Sequence, residues 1–374
     1  MIKIVHVITR LEVGGTEIML KRLVEECSKN PDCQQTIISL TKEGSIGRQL
    51  IDKGINVIPL GLSSVFTIPI VFYRLMKIFK LSCPDVVYTW MYHADLIGGV
   101  VAYFCGIRNI IWGIRNTQIP QGAISLASII RRICSILSFH IPNKIICCGE
   151  AAQSAHISMG YCAKKMVVIS NGYDLSSFNP DPELTKRIRN KLGLSPNTKV
   201  IGTIGRFDPL KDFNNFVKAA SLVCSSMGEV KFLMIGTGLD KNNSELTSWI
   251  KKTGYAENFI LFGESNPHDL LAAMDIYCLS SKAEGFPNVV AEAMAMRVPC
   301  VVTNVGDAAI IVGDTGKVVA PMNAYELSEG LVSMLKLENG DRRILGDAAR
   351  KLIEQKYDIK IMVDKYLNLA VKSL

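Results

Sequence analysis

Short apolar runs alternate with longer amphipathic stretches along the chain. Strand-like runs fall at residues 2–9, 34–40, 55–60, 86–89, 109–113, 144–148 and 166–170, with helical patterns between most of them. The alternation restarts at 200–205, 230–236, 259–263, 275–279, 298–302 and 317–320. Strand and helix in turn predict an α/β chain, with parallel sheets covered by helices on both faces. Between the two series lie Asn171-Gly172-Tyr173-Asp174 and a polar, Pro-bearing segment to Pro196, which reads as an interdomain linker. The pattern predicts two doubly wound, Rossmann-like domains, at 1–170 and 171–356. Ligands of such sheets bind beyond the carboxyl ends of the strands. Two domains facing each other would hold the ligand in a cleft.

Composition narrows the class. The 374 residues suffice for two or three domains, and 48% apolar with 20% charged residues describes a globular chain. No apolar run reaches the roughly 20 residues that span a bilayer. The first run is too short for a secretory leader, so a cytoplasmic location is expected. The eleven cysteines form no CxxC and read as buried reduced thiols. The five histidines lack metal-ligand spacing, and no Asp-x-Asp pair is present, so neither a metal nor a cofactor is expected.

Charge is uneven. Residues 1–171 carry 18 basic against 10 acidic side chains, whereas residues 172–374 carry 24 of each. The first half should meet an anionic partner. Nucleic acid is disfavoured, because no recognition motif or aromatic-basic interleaving is present; an anionic membrane surface fits better. Two basic amphipathic stretches, 66–81 and 123–139, carry Arg74, Lys77, Lys80, Arg131 and Arg132. They read either as membrane-surface helices or as ordinary outer helices of the sheet.

The candidate chemistry gathers at the ends of predicted strands. Glu284-Gly285-Phe286-Pro287-Asn288-Val289 leads from one strand into a helix that carries Glu292. A tight turn there leaves backbone N–H groups at a helix N-terminus, a ready anion site. Two carboxylates beside an anion site suit a ligand with both hydroxyls and phosphates, such as a nucleotide sugar. The same spacing also describes a capped turn with two solvated glutamates. Gly205-Arg206 and Lys211 place two cations after another strand, as a diphosphate would require. Gly236-Thr237-Gly238 removes side chains where a base or phosphate could approach. Gly14-Gly15 after the first strand permits close ligand approach or simply makes a Gly-rich turn capped by Thr16. The first loop is not GxGxxG, and no acidic residue ends the second strand, which disfavours a nicotinamide dinucleotide. His93 stands where the fourth strand meets a loop, to hydrogen-bond a substrate or a local partner. Arg115, on the same rim, would meet an anion or a neighbouring carboxylate.

Taken in order, these pieces resemble the retaining family 4 glycosyltransferases of the GT-B fold. The carrying residues are Gly14-Gly15-Thr16-Glu17, His93, Gly205-Arg206 with Lys211, Gly236-Thr237-Gly238, and Glu284 through Glu292, which matches the family's E-x7-E motif. Residues 171–174 with Phe178 look like the family's linker, while 89–99 and 112–117 look most like the branch that builds bacterial O-antigens and related surface glycans, which implies a part in lipopolysaccharide or other polysaccharide biosynthesis.

The resemblance implies specific roles. Glu292 would bind ribose hydroxyls and Glu284 the donor sugar, with Phe286, Pro287, Asn288 and Val289 lining the turn. Arg206 and Lys211 would hold the diphosphate, joined by amides near Gly15, and His93 would face the transferred sugar. A final helix within 357–374 would cross back to the first domain. A hexose or N-acetylhexosamine would pass, from UDP by preference, to a polyprenyl-diphosphate-linked saccharide at the inner membrane surface. A sugar-nucleotide epimerase and an inactive membrane-bound scaffold are the alternatives. One departure stands out. Where much of the family has a Glu, this chain has Ile310, and Asp307 either compensates or the contact is missing.

Overall fold

A computed structural model of the chain describes residues 1–117, 126–265 and 267–372. It divides into two compact units, Met1–Tyr173 with Asp358–Leu374, and Asp174–Tyr357.

The first unit is a seven-stranded parallel sheet, β1 (Ile2–Ile8), β2 (Cys33–Ser39), β3 (Asn56–Pro59), β4 (Val86–Trp90), β5 (Ile110–Ile114), β6 (Lys144–Cys147) and β7 (Met166–Val168). Its order is β3-β2-β1-β4-β5-β6-β7. The second unit has six parallel strands, β8 (Lys199–Ile204), β9 (Val230–Ile235), β10 (Phe259–Gly263), β11 (Ile276–Leu279), β12 (Cys300–Thr303) and β13 (Lys317–Val319). Their order is β10-β9-β8-β11-β12-β13. All thirteen strands lie within two residues of the predicted runs. Central strands such as β4, β5, β11 and β12 are buried along their whole length, the expected state of parallel strands covered on both faces. In each sheet the order reverses once, at β1/β4 and at β8/β11, so each has a switch point where loops diverge and a ligand can enter.

The segment read as a linker is more ordered than its composition suggests. It contains a helix, Pro182–Lys191, opened by Asp181, whose carboxylate accepts from Glu183 N, and by Pro182 in the first turn. Arg189 of this helix donates to Ala273 O (3.1 Å) and meets Asp275 Oδ2 (3.4 Å), which ties it to the second unit. Its apolar stripe is short, with Ile188 its only buried residue, so polarity hid its period.

The two basic amphipathic stretches are helical. The first is Ile68–Ser82, entered through a turn of 3-10 helix at Val65–Thr67; Val71, Leu75 and Phe79 form its buried stripe. The second is Leu126–Leu137; residues 123–125, also assigned to it from sequence, lie outside the described residues.

The C-terminal helix Ile359–Lys372 packs in the first unit, against helix Gly15–Cys27. Ile359, Met362, Val363, Tyr366 and Ala370 enter the core under β1 and β4. Polar pins add to this burial. The Tyr88 hydroxyl donates to Tyr366 O (2.6 Å), and Asn109 Nδ2 donates to Ala370 O (2.8 Å). The second of these bonds satisfies a carbonyl of the last turn that the helix cannot satisfy itself. Tyr366 lies parallel to Trp90 at 6.0 Å, and the Arg115 guanidinium stacks on Trp90 at 4.5 Å from the ring centre. Arg115 also donates to Asn171 Oδ1 (3.0 Å) and to the Tyr366 hydroxyl. Among the described residues Arg115 thus meets aromatic and amide groups in place of the neighbouring carboxylate expected as one alternative.

Trp90 Nε1 donates to His6 Nδ1 (3.3 Å), and His6 stacks on Tyr88. Burial holds the His6 pKa down at about 4. His156, also buried, is held at about 4 too; its Nε2 bonds the Tyr92 hydroxyl (2.6 Å).

Two predictions follow from this packing. Tyr366→Ala removes a buried ring from the helix contact and should cost about 3–5 kcal/mol, read by thermal unfolding. The histidines set an acid limit. Unfolded imidazoles take a proton near pH 6.5, whereas the buried ones resist until about 4, so the unfolded state binds more protons between these values. Buried Asp95 of the same unit, held up at about 7, works in the opposite sense but offsets only one of the two histidines. Stability of the first unit should therefore still fall as pH drops from 6.5 toward 4, checked by Tm across that range; an Asp95→Asn variant should steepen the fall.

Candidate functional site

The second unit brings the predicted cations and carboxylates together at adjacent strand ends. β8 runs into Gly205, Arg206 and a 3-10 turn, Pro209–Lys211. β11, its neighbour, runs into Ser280, Ser281 and Glu284. The two loops are bonded backbone to backbone by Lys282 N to Leu210 O (2.7 Å), and through Ser280 Oγ to Lys211 O (2.9 Å).

Across that seam Lys211 Nζ donates to Glu284 Oε1 at 2.7 Å, and Ser281 Oγ donates to the same oxygen at 2.6 Å. The Lys211 side chain keeps 29% of its surface open and Glu284 11%, so the pair is largely sheltered while its ammonium still reaches outward. An ammonium has three donors, of which this bond uses one. Arg206, on the same loop, is mostly exposed and pairs with Asp208 Oδ2 at 2.9 Å. The Leu210 backbone N–H, and after it Arg206, hold the Asp208 carboxyl below the usual range. The outcome is one sheltered cation and one exposed cation beyond β8.

Glycines shape this end of the sheet. Gly236, at φ +136°, lies so close to Gly205 that a Cβ would stand 2.1 Å from Gly205 O. Gly306, at φ +54°, would put a Cβ 2.4 Å from Gly285 O and 2.6 Å from Glu284 O. Only glycine allows these approaches. Asp307 N then donates to Gly285 O (3.1 Å), which ties the loop after β12 to the turn. Ile310 is 43% exposed, and Asp307 is buried. Gly238 also takes a positive φ, +78°.

Phe286 and Pro287 precede helix Asn288–Ala295, in which Val289 follows Asn288 and Glu292 is buried. No side chain caps this helix; Val290 N bonds Pro287 O (3.0 Å). Phe286 is itself buried, packed edge-on to Tyr357 at 5.7 Å. It therefore builds the turn rather than offering an open face.

Gly14, Gly15 and His93 stand on the first unit, beyond the neighbouring strands β1 and β4. Gly14 is the N-cap of helix Gly15–Cys27 in extended backbone, so the helix opens two residues earlier than a Thr16 cap would place it. His93 is the second residue of helix Tyr92–Phe104, half-buried, and desolvation lowers its pKa, which keeps the imidazole neutral.

Sequence reasoning assigned no role to two groups near these positions. Ser281 anchors Glu284 at the Ser-x-x-Glu spacing familiar from capping boxes, and that spacing was the available signal. Asp95, fully buried, accepts from Thr89 Oγ1 (2.6 Å), and burial pushes its pKa up to about 7. No local pattern marks a carboxyl that faces inward at the first turn of a helix. Among the described residues, no group of three His, Cys, Asp or Glu is placed to hold a metal.

Known proteins share this chain's sequence pattern and its fold. Residues 13–177 match the model of Glycosyltransferase Family 4, and residues 185–352 match that of Glycosyl transferases group 1. The capsular polysaccharide biosynthesis glycosyltransferase CapM of Staphylococcus aureus is 24% identical over 77% of this chain and 77% of its own. The UDP-Gal:alpha-D-GlcNAc-diphosphoundecaprenol alpha-1,3-galactosyltransferase of Escherichia coli is 22% identical over 79% of this chain and 78% of its own. Among solved structures, Anabaena HepE in complex with UDP superposes with a TM-score of 0.88 at 19% identity, covering 100% of both chains. The chain belongs to the GT-B glycosyltransferases, with its first half matching Glycosyltransferase Family 4 and its second half Glycosyl transferases group 1.

Proposed function

We propose that this glycosyltransferase moves a hexose or N-acetylhexosamine from a nucleotide sugar, UDP-linked by preference, to a polyprenyl-diphosphate-linked saccharide. The product would enter a bacterial surface polysaccharide of the O-antigen or capsular kind, with anomeric configuration retained. The observation that carries the reading is the Lys211–Glu284–Ser281 cluster at the β8/β11 switch point. The relatives support the rest. One is named for a UDP-Gal donor and a diphosphoundecaprenol acceptor, and a structural neighbour was solved with UDP.

The chemistry follows from the charges. A departing nucleoside diphosphate needs neutralisation rather than a proton. Lys211 supplies a sheltered charge and Arg206 an exposed one, both from the loop beyond β8, and this is electrostatic stabilisation of developing charge. Two cations from the chain would make the reaction metal-independent. Glu284, anchored by Ser281, is left to accept from sugar hydroxyls, and Glu292 from the ribose. In a front-face displacement the leaving oxygen takes the proton of the incoming hydroxyl on the same side. The bond to the diphosphate breaks as the bond to the acceptor forms, and no protein nucleophile is required.

The acceptor's lipid gives the basic first unit a purpose. Helix Leu126–Leu137 shows Leu126, Ile129, Ile133 and Ile136 to solvent, with Ile136 62% exposed, beside Arg131 and Arg132. Exposed aliphatic groups flanked by cations suit an anionic lipid surface. No helix among the described residues is long and apolar enough to cross a membrane.

Purified protein should release nucleoside diphosphate from one member of a panel of UDP- and GDP-sugars, and faster with membrane lipid extract. Release without any acceptor-dependent product would turn the reading toward a hydrolase, and no release from any donor toward an epimerase or an inactive scaffold. Lys211→Ala should lower kcat about 10²-fold with a smaller change in KM. Near-normal turnover in both Lys211→Ala and Arg206→Ala would overturn the assignment. For the lipid surface, the Ile133→Glu/Ile136→Glu double variant should lose sedimentation with anionic vesicles while its binding of the nucleoside diphosphate in solution persists. Unchanged sedimentation would remove this helix from the lipid reading.

A further inference from the structure

Beneath the Glu284–Glu292 stretch lies a hydroxyl that the reaction as described does not use. Tyr277 is the second residue of β11 and is fully buried. It pairs with Gly202 of β8 and Cys300 of β12, and its N–H donates to Pro299 O (3.0 Å). Its strand neighbours Ile276 and Cys278 enter the core formed with helices Phe213–Ser226 and Ala324–Leu335. Strand alternation sends Tyr277 to the opposite face. Cys300 shares that face, with its Sγ near Val290 O of helix Asn288–Ala295, the helix that carries Glu292. Tyr277 thus lies under the turn and helix of the motif.

The phenol oxygen is shut off from solvent and has no hydrogen-bond partner among the described residues. A buried donor left unbonded is costly, and such exceptions call for an explanation. Packing alone would be served equally by Phe. The negative charges of Glu284 and, less strongly, Glu292 reach this phenol; after burial itself, they hold its pKa well above the ordinary value. The hydroxyl therefore stays a proton donor throughout the neutral range.

We propose that Tyr277 is a positioning residue for donor turnover, its idle hydroxyl held in reserve for the Glu284 carboxylate. The inference rests on the donor-site reading above. Without donor, Glu284 Oε1 takes bonds from both Lys211 and Ser281. When the diphosphate draws Lys211 away, Glu284 keeps Ser281 and loses its cation. A small settling of the turn then brings the carboxylate onto the Tyr277 hydroxyl. A neutral donor restores the bond without adding a charge that would compete for the leaving group.

The test is Tyr277→Phe, which deletes one oxygen and keeps the ring. Removing an unbonded hydroxyl should raise Tm of the donor-free protein by about 2–4 °C. In the nucleotide-release assay the same variant should lose about tenfold in kcat, with donor KM within twofold. In a Glu284→Gln background the added loss should shrink below twofold, because the partner is gone. A fall in Tm would mean that the hydroxyl is already bonded in the donor-free protein, and would overturn the proposal. Equal kcat in Tyr277→Phe and the wild type would overturn it and leave the donor site intact. A full tenfold loss retained in Glu284→Gln would show that Tyr277 does not act through Glu284. A wild type that releases no nucleotide from any donor would overturn the donor-site reading, and this inference with it.

Discussion

The bond between Lys211 and Glu284 is the constraint on which the second unit's chemistry depends. It spans the seam between β8 and β11, where strand order reverses and the loops part in opposite directions. Two loops leaving adjacent strands would otherwise be free to drift. Here a charged pair, one serine hydroxyl and one backbone bond tie them together. The pair is largely sheltered, and the cost of drawing two charges from water offsets much of their attraction, so it adds little to stability. Its value is geometric. It keeps an ammonium and a carboxylate within one hydrogen bond of each other while neither is fully removed from water, so either can exchange its partner for a ligand.

Backbone requirements reinforce this arrangement from below. Gly236 lies against Gly205, and Gly306 against Glu284 and Gly285, at distances that no side chain tolerates. The loops after β8, β9, β11 and β12 therefore touch through main chain. Side chains there are free for chemistry because packing does not need them.

Much of this was legible in the sequence, for identifiable reasons. The strands could be read because parallel strands buried on both faces are continuous apolar runs, of which β11 and β12 are clear cases. The helix Pro182–Lys191 could not, because a surface helix with one buried residue has almost no apolar period. Lys211 and Glu284 could be named separately from strand ends, but their mutual bond spans 73 positions and no local pattern encodes it. Arg115 is a parallel case. Its position on the rim suggested an anion or a neighbouring carboxylate, and its partners Trp90, Tyr366 and Asn171, drawn from three distant stretches, could not be read locally. Asp95 and Tyr277 were hidden for a related reason: burial, which makes them unusual, is a property of the fold and not of their neighbours in sequence.

The placement of the C-terminal helix has a consequence for synthesis. Residues 174–357 form a unit of their own, whereas the first unit's core includes Ile359, Met362, Val363, Tyr366 and Ala370. A chain emerging from the ribosome N-terminus first therefore exposes β1 to β7 long before the helix that covers them exists. The Trp90 and Tyr88 surfaces wait, uncovered, while nearly two hundred residues are made. The second unit can close first, and the first-made unit is the last to be finished, so a nascent chain stalled before Asp358 would carry an apolar strip that chaperones can read.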